Sequence, residues 1–144
     1  REAKSAELVA KLQQKVAPFS KGYNSSFSLI MQTIGQIVHE DRFSPSLEKR
    51  KLVLFSDMMQ NEKGYSHYHP RRTSDPFNSR SFFDANTGGF KRYTAEIGLY
   101  KNLDVTIYYL NRADAQVAQR EMHIGFWKKY FGELGTKTVH VHSL

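Results

Sequence analysis

Asp57 closes the run Leu52-Val53-Leu54-Phe55-Ser56-Asp57, and Gln60 and Asn61 follow it. A carboxylate at the C-terminal end of a buried strand stands where open α/β sheets place their ligand crevices. It can hold a metal or polar ligand there. It can equally cap the turn that follows, with Gln60 and Asn61 as polar neighbours. The residues alone support both uses. His67 and His69 form a His-x-His pair, which in an extended segment turns both rings to one side and can ligate zinc. A further ligand would have to come from Asp75 or Asp84, and exposed loop histidines are the simpler reading. His140 and His142 repeat the spacing near the other end of the chain, where solvent-facing positions explain them as well.

A second set of residues mixes rings with cations: Tyr65, Tyr68, Phe77, Phe82 and Phe83 among Arg71, Arg72, Arg80, Lys91 and Arg92. Rings stack on bases while Arg and Lys neutralise phosphates, so this stretch could grip single-stranded nucleic acid. Aromatic residues and Arg also dominate protein-binding hot spots. The plainest alternative folds these rings back on the sheet edge. Trp127, Tyr130 and Phe131 read as core, with Lys128 and Lys129 as a solvated face. The phosphate-binding loop, dinucleotide fingerprint and nucleophile-elbow motifs are missing from the sequence, and its carboxylates form no convincing catalytic pair. The expectation is therefore a non-catalytic protein.

Composition narrows the classes further. The 144 residues are 40% hydrophobic and 24% charged, which suits one ordinary domain and excludes a mostly disordered chain. Without cysteine there is no disulfide framework, thiolate metal site or thiol nucleophile. A net charge of +7 favours acidic partners without choosing among nucleic acid, anionic surfaces and proteins. The apolar runs are too short to span a bilayer, so no membrane insertion is expected. Arg1 to Lys4 lacks the apolar stretch of a signal peptide, which points to the cytoplasm. The missing initial Met reads as the mark of a processed product or of a piece of a longer protein.

Periodicity supplies the elements that must position these groups. Leu8, Val9, Leu12 and Val16 predict a helix over Glu2 to Val16, stopped by Pro18. Ile30, Met31, Ile34, Ile37 and Val38 predict a second helix, with Ser26 or Ser28 as N-cap. Lys51 to Asp57 reads as a central parallel strand covered on both faces. Further strands are predicted at Leu103 to Leu110 and, half-exposed, at Lys137 to Val141. A helix over Asp114 to Leu134 ends at Gly135, and Phe90, Tyr93, Ile97 and Tyr100 predict another. About 61–89 is a long loop, of the kind that is usually functional or disordered. Alternating strands and helices make a three-layer α/β domain over 1–144 with a mainly parallel, Rossmann-like sheet and right-handed crossovers. So few strands suggest the C-terminal portion of a larger domain.

The segment Leu52-Val53-Leu54-Phe55-Ser56-Asp57-Met58-Met59-Gln60-Asn61 resembles the central strand of von Willebrand factor A-like (vWA) domains, where a hydrophobic strand ends in Ser-Asp or Thr-Asp. Ser28 to Ile34 is similar to the family's helix entered by Ser or Thr. Val105 to Leu110 and His123 to Phe131 are similar to the next strand and helix. The likeness, to bacterial vWA-like proteins, covers about residues 25–144. It implies a protein-interaction domain within a larger bacterial assembly, meeting a protein partner at the C-terminal end of its sheet. Ser28, Asp57, Gln60, Asn61, Arg71 and Arg72 lie on that surface, and Lys91 and Arg92 are added as binding residues. The family's metal site would map to Ser28 and Asp57, but its Asp-x-Ser-x-Ser part is absent from the chain. Resident cofactors are thus expected to be none, or magnesium if residues preceding Arg1 complete the site. The alternative function is a nucleic-acid-associated component gripping through the basic aromatic loop.

Overall fold

The computed structural model describes residues 11, 14, 27–63, 65–68, 82–84, 88–113 and 121–144. Two helices are defined there, α1 (Ile30–Val38) and α2 (Glu121–Glu133). Five strands accompany them: β1 (Arg50–Ser56), β2 (Asn61–Glu62), β3 (Tyr65–Ser66), β4 (Leu103–Tyr109) and β5 (Thr138–Ser143). Tight 3-10 turns occupy Asp41–Phe43 and Gly89–Glu96. The helix expected over Glu2 to Val16 lies outside the described residues, apart from Lys11 and Gln14, both helical and exposed.

β1, β4 and β5 form a wholly parallel sheet in the order β1-β4-β5, and β2 pairs with β3 as a small antiparallel hairpin. This is a small α/β fold. Its order overturns one expectation: among the described residues β1 is an edge strand, and β4 holds the centre. Nor is β1 covered on both faces. Leu52 is buried, whereas Val53 and Phe55 are 42% and 38% exposed. The physical reason is the direction of travel. Successive strands are added on the same side, and crossovers of one hand running in one direction lie on one face of a parallel sheet, which leaves the other without helices of its own. That face carries Leu52, Leu54, Val105, Ile107, Tyr109, Val139 and Val141, joined in one core with Met31, Ile34 and Val38 of α1 and Phe126, Trp127, Tyr130 and Phe131 of α2. The opposite face carries Phe55, Tyr108 and His142 in register, their rings stacked with centroids 4.6 and 5.2 Å apart.

Both ends of the sheet are stitched by residues that periodicity does not reveal. Arg50, 4% exposed, donates to the carbonyls of Phe43 (2.9 Å), Leu99 (2.6 Å) and Lys101, tying two connections to the start of β1. The helix expected around Phe90 to Tyr100 is instead a 3-10 turn that stops at Glu96. Phe90, Tyr93 and Tyr100 remain buried, and Ile97 is 52% exposed. Three residues per turn carry a stripe only a short way before it runs off the face. α2 ends as the sequence indicates. Gly135 takes φ +92°, and the Thr136 N–H reaches back to the Phe131 carbonyl at 3.0 Å, closing a Schellman cap.

Two glycines of this helix should respond oppositely to alanine. Gly125 lies in the helix with open space where a Cβ would go, so Gly125→Ala is expected to raise stability by about 0.5–1 kcal/mol. Gly135 also has open space but a positive φ, so Gly135→Ala is expected to lower stability by about 1–2 kcal/mol. Urea unfolding monitored at the single Trp127 checks both.

Candidate functional site at the C-terminal end of the sheet

The chain leaves β1 through a bend that its own side chains hold. Ser56 Oγ accepts the Met58 N–H at 2.9 Å, and Asp57 Oδ1 accepts the Met59 N–H at 3.1 Å. Met58 takes φ 55°, a left-handed conformation that is costly outside glycine. The bend buries Met58, Met59 and Gln60 completely and turns the Met58 carbonyl inward. Trp127 Nε1 donates to that oxygen at 2.9 Å, and the Gln60 N–H reaches it at 3.1 Å. His123 Nε2 and His67 Nδ1 stand 3.1 and 3.3 Å from it.

Those two imidazoles touch each other, His67 Nδ1 to His123 Nε2 at 2.9 Å, and both are fully buried. Their outer nitrogens meet phenols, His67 Nε2 with the Tyr65 hydroxyl at 3.0 Å and His123 Nδ1 with the Tyr109 hydroxyl at 2.5 Å. The result is one line of hydrogen bonds, Tyr65–His67–His123–Tyr109, joining β3, α2 and β4. Neutral rings with one N–H each can complete this line in either direction, from Tyr65 toward Tyr109 or from Tyr109 toward Tyr65. Burial, followed by the His123 charge, holds His67 well below the ordinary 6.5, against a smaller opposing effect of the Met58 carbonyl. Burial lowers His123 to about 4, again opposed by that carbonyl. His67 is therefore not the exposed loop histidine expected from its neighbourhood. Its ring is spent on interior partners, while His69 lies outside the described residues.

Asp57 sits nearer the surface. Its Oδ2 accepts from Arg112 Nη1 at 3.1 Å and lies 3.5 Å from the Tyr68 hydroxyl. Arg112 Nη1 also donates to that hydroxyl at 2.9 Å, and the guanidinium lies over the Tyr68 ring, 5.7 Å from its centroid. Arg112 went unnoticed in the sequence because it stands alone after β4, 55 residues from its partner. Ser28 reaches the same region by backbone pairing, its N–H and C=O each 2.8 Å from those of Asn61. It does not cap α1. Leu29 occupies the N-cap position without a side-chain bond, and Gln60 Oε1 accepts the Met31 N–H at 3.0 Å from across the fold. Gln60 Nε2 then donates to Gln32, Gln32 donates to Glu62 at 2.7 Å, and Glu62 pairs with Arg92 at 3.0 Å. Ser26 lies outside the described residues.

Ser28, Asp57, Gln60 and Asn61 are thus brought together at one end of β1. Lys91 is exposed on the 3-10 turn and Arg92 is committed to Glu62, while Arg71, Arg72 and Asp75 lie outside the described residues. Tyr65, Phe82 and Phe83 pack against Phe126 of α2 rather than the sheet edge, and Lys129 stands over the Phe83 ring at 4.8 Å. His140 and His142 are exposed, and Asp84 is exposed too.

The residues at Asp57 do not fit magnesium as they stand, because one carboxylate oxygen holds a backbone N–H and the other holds a guanidinium that a divalent ion would have to displace. Among the described residues no group of three or more His, Asp or Glu is arranged to hold a metal ion. Compared with known proteins, the chain matches no family model, no curated protein and no solved structure.

Gln60→Leu should strand the buried Met31 N–H and lower stability by about 1–3 kcal/mol, read from the urea midpoint. The histidines set a pH dependence. Both are lowered in the folded state, so the unfolded chain binds protons first as pH falls. Stability is fully present above about 6.5 and declines toward about 4, by up to ~1.4 kcal/mol per pH unit for each ring. His123→Phe should flatten that slope in urea midpoints taken across the window.

Proposed function

We propose that this chain is a non-catalytic interaction domain of vWA-like type, working inside a larger bacterial assembly and meeting a protein partner at the C-terminal end of its sheet. One observation carries the reading. The Ser28–Asn61 bridge and the Gln60 cap pin the start of α1 to the end of β1, which sets Phe27 (57% exposed) and Leu29 (45% exposed) on the same rim as Asp57, Arg112 and Tyr68. Exposed apolar groups at the end of the sheet that also carries an Arg–Tyr pair have the composition of a protein-binding hot spot, in which desolvated rings and Arg supply most of the energy.

The three-layer form of the fold belongs to the same proposal. A parallel sheet is ordinarily covered on both faces, whereas here Val53, Phe55, His140 and His142 face outward. In a larger domain the sheet would continue past the edge of β1, and helices joining the added strands would cover that face. The described rings of the aromatic stretch give the nucleic-acid alternative little to work with, because Phe82 is buried and Tyr65 and Phe83 are packed on Phe126. Among the described residues no helix is long and apolar enough to cross a membrane.

A photo-crosslinking side chain placed at Phe27 or Leu29 should capture a defined protein in the source cell, and one placed at Lys137, at the other end of the sheet, should not. Phe27→Asp with Leu29→Asp should weaken that complex at least tenfold, with little change between 50 and 300 mM salt. Capture equally efficient from Lys137 would overturn the rim assignment. Oligonucleotide binding that falls steeply with salt and disappears in Arg71→Ala/Arg72→Ala would transfer the function to the loop.

A further inference from the structure

We propose that a water molecule is bound inside the fold between the hydroxyls of Tyr93 and Tyr130 and the carboxylate of Glu96, linking the Gly89–Glu96 turn to α2. Tyr130 is fully buried and Tyr93 is 5% exposed, and neither hydroxyl has a hydrogen-bond partner among the described residues. They are two of the four buried side-chain polar atoms left in that condition there. A hydroxyl withdrawn from solvent without a partner forfeits its hydration and gains nothing in return. Native interiors meet such groups with protein partners or with ordered water.

The two phenols belong to one polar group in the core. Their rings meet edge to face with centroids 5.7 Å apart. Burial, followed by the nearness of Tyr100, Tyr93, Glu96 and Glu62, raises the Tyr130 phenol far above its ordinary range. Burial, followed by the Glu62 charge, raises Tyr93 as well, against the opposing charge of Arg92. Both hydroxyls therefore stay neutral, and each keeps one proton to donate and lone pairs to accept with.

Glu96 supplies the anionic side of the site. Its Oε2 accepts from the Tyr100 hydroxyl at 3.3 Å, and among the described residues it forms no salt bridge. Burial raises its carboxyl, against the opposing effects of Tyr100 and His39. Gly35 of α1 makes the room. A Cβ there would stand 2.6 Å from Glu96 Oε1, so only bare helix backbone lets the carboxylate lie against α1. Glu62 is less suited, because Gln32 and Arg92 already hold it. Water fits this set better than a metal ion does. It can accept from one phenol and donate to the other and to the carboxylate, which are the three contacts usual for an interior water. A hard cation would find one carboxylate and two phenols that still carry their protons. The site does not depend on the rim being a partner surface, and its test uses the chain alone.

The sign of two substitutions tests the site. Removing a bridged hydroxyl takes a partner from the water and strands the groups that remain, so Tyr93→Phe and Tyr130→Phe should each lower the urea midpoint. The double variant should fall little below the poorer single one, although no direct bond joins the two hydroxyls. A hydroxyl that is merely unsatisfied behaves oppositely: its removal raises the midpoint, and two removals add. Oxygen-17 relaxation dispersion, which counts long-lived interior waters, should find about one fewer in the double variant than in the unmodified chain. Gly35→Ala should displace the Glu96 carboxylate and lose the same water, with far-UV circular dichroism retained. A raised midpoint in either tyrosine variant, or a water count unchanged in the double variant or in Gly35→Ala, would overturn the assignment. So would a midpoint of the unmodified chain that differs between sodium and potassium chloride at equal concentration, which would put a cation in the site. If Gly35→Ala fails to fold, the tyrosine variants decide, since phenylalanine keeps the ring packing.

Discussion

One carbonyl oxygen organises the upper end of this fold. Met58 is held in a left-handed turn so that its C=O points inward, where the Trp127 indole, the Gln60 backbone and the inner nitrogens of two imidazoles crowd about it. A buried carbonyl needs a partner, and left without one it costs about as much as a lost hydrogen bond. Here the need is met by residues from β1's end, the hairpin and α2, so satisfying one acceptor joins elements far apart in sequence. The conformational cost at Met58 persists because Ser56 and Asp57 fix the bend from one side and the aromatic cluster fixes it from the other.

From that bend the remaining contacts follow in order. Gln60, emerging from it, supplies the acceptor that α1 lacks at its own N-terminus, and Asn61 pairs with Ser28. Asp57 turns outward to Arg112. The bend therefore sorts the side chains: Met58, Met59 and Gln60 go to the interior, and Asp57 and Asn61 go to the rim. A site assembled this way derives its geometry from backbone curvature more than from any compact motif.

Much of this could be read from residue types, and the rest failed for physical reasons. β1, β4, β5, α1 and the Gly135 stop declare themselves because apolar periodicity and glycine chemistry are local. Placing Asp57 and Ser28 at one end of a parallel strand also needed only local patterns and the rule that crossovers join parallel strands. Four consecutive apolar residues in β1 suggested a central strand, but hydrophobicity does not reveal whether a neighbour is present to cover Val53 and Phe55. His67 was hidden by its surroundings in sequence, since Ser, Tyr, His and Pro around it read as exposed loop. Its burial depends on His123, 56 residues away. Gln60 as a remote helix cap and Arg112 as the partner of Asp57 are likewise long-range pairings that spacing does not encode.

The row Phe55–Tyr108–His142 joins three rings contributed by three separate strands, one from each third of the sheet's sequence. Because alternate residues face opposite ways, sliding any one strand by a single position would send its ring toward the helices and bring an aliphatic side chain out in exchange. The stack thus works as an alignment gauge. A slip of β4 loses both ring contacts at once and a slip of β1 or β5 loses one, so the correctly threaded sheet is distinguished from its nearest competitors on the very surface that contributes least to the interior.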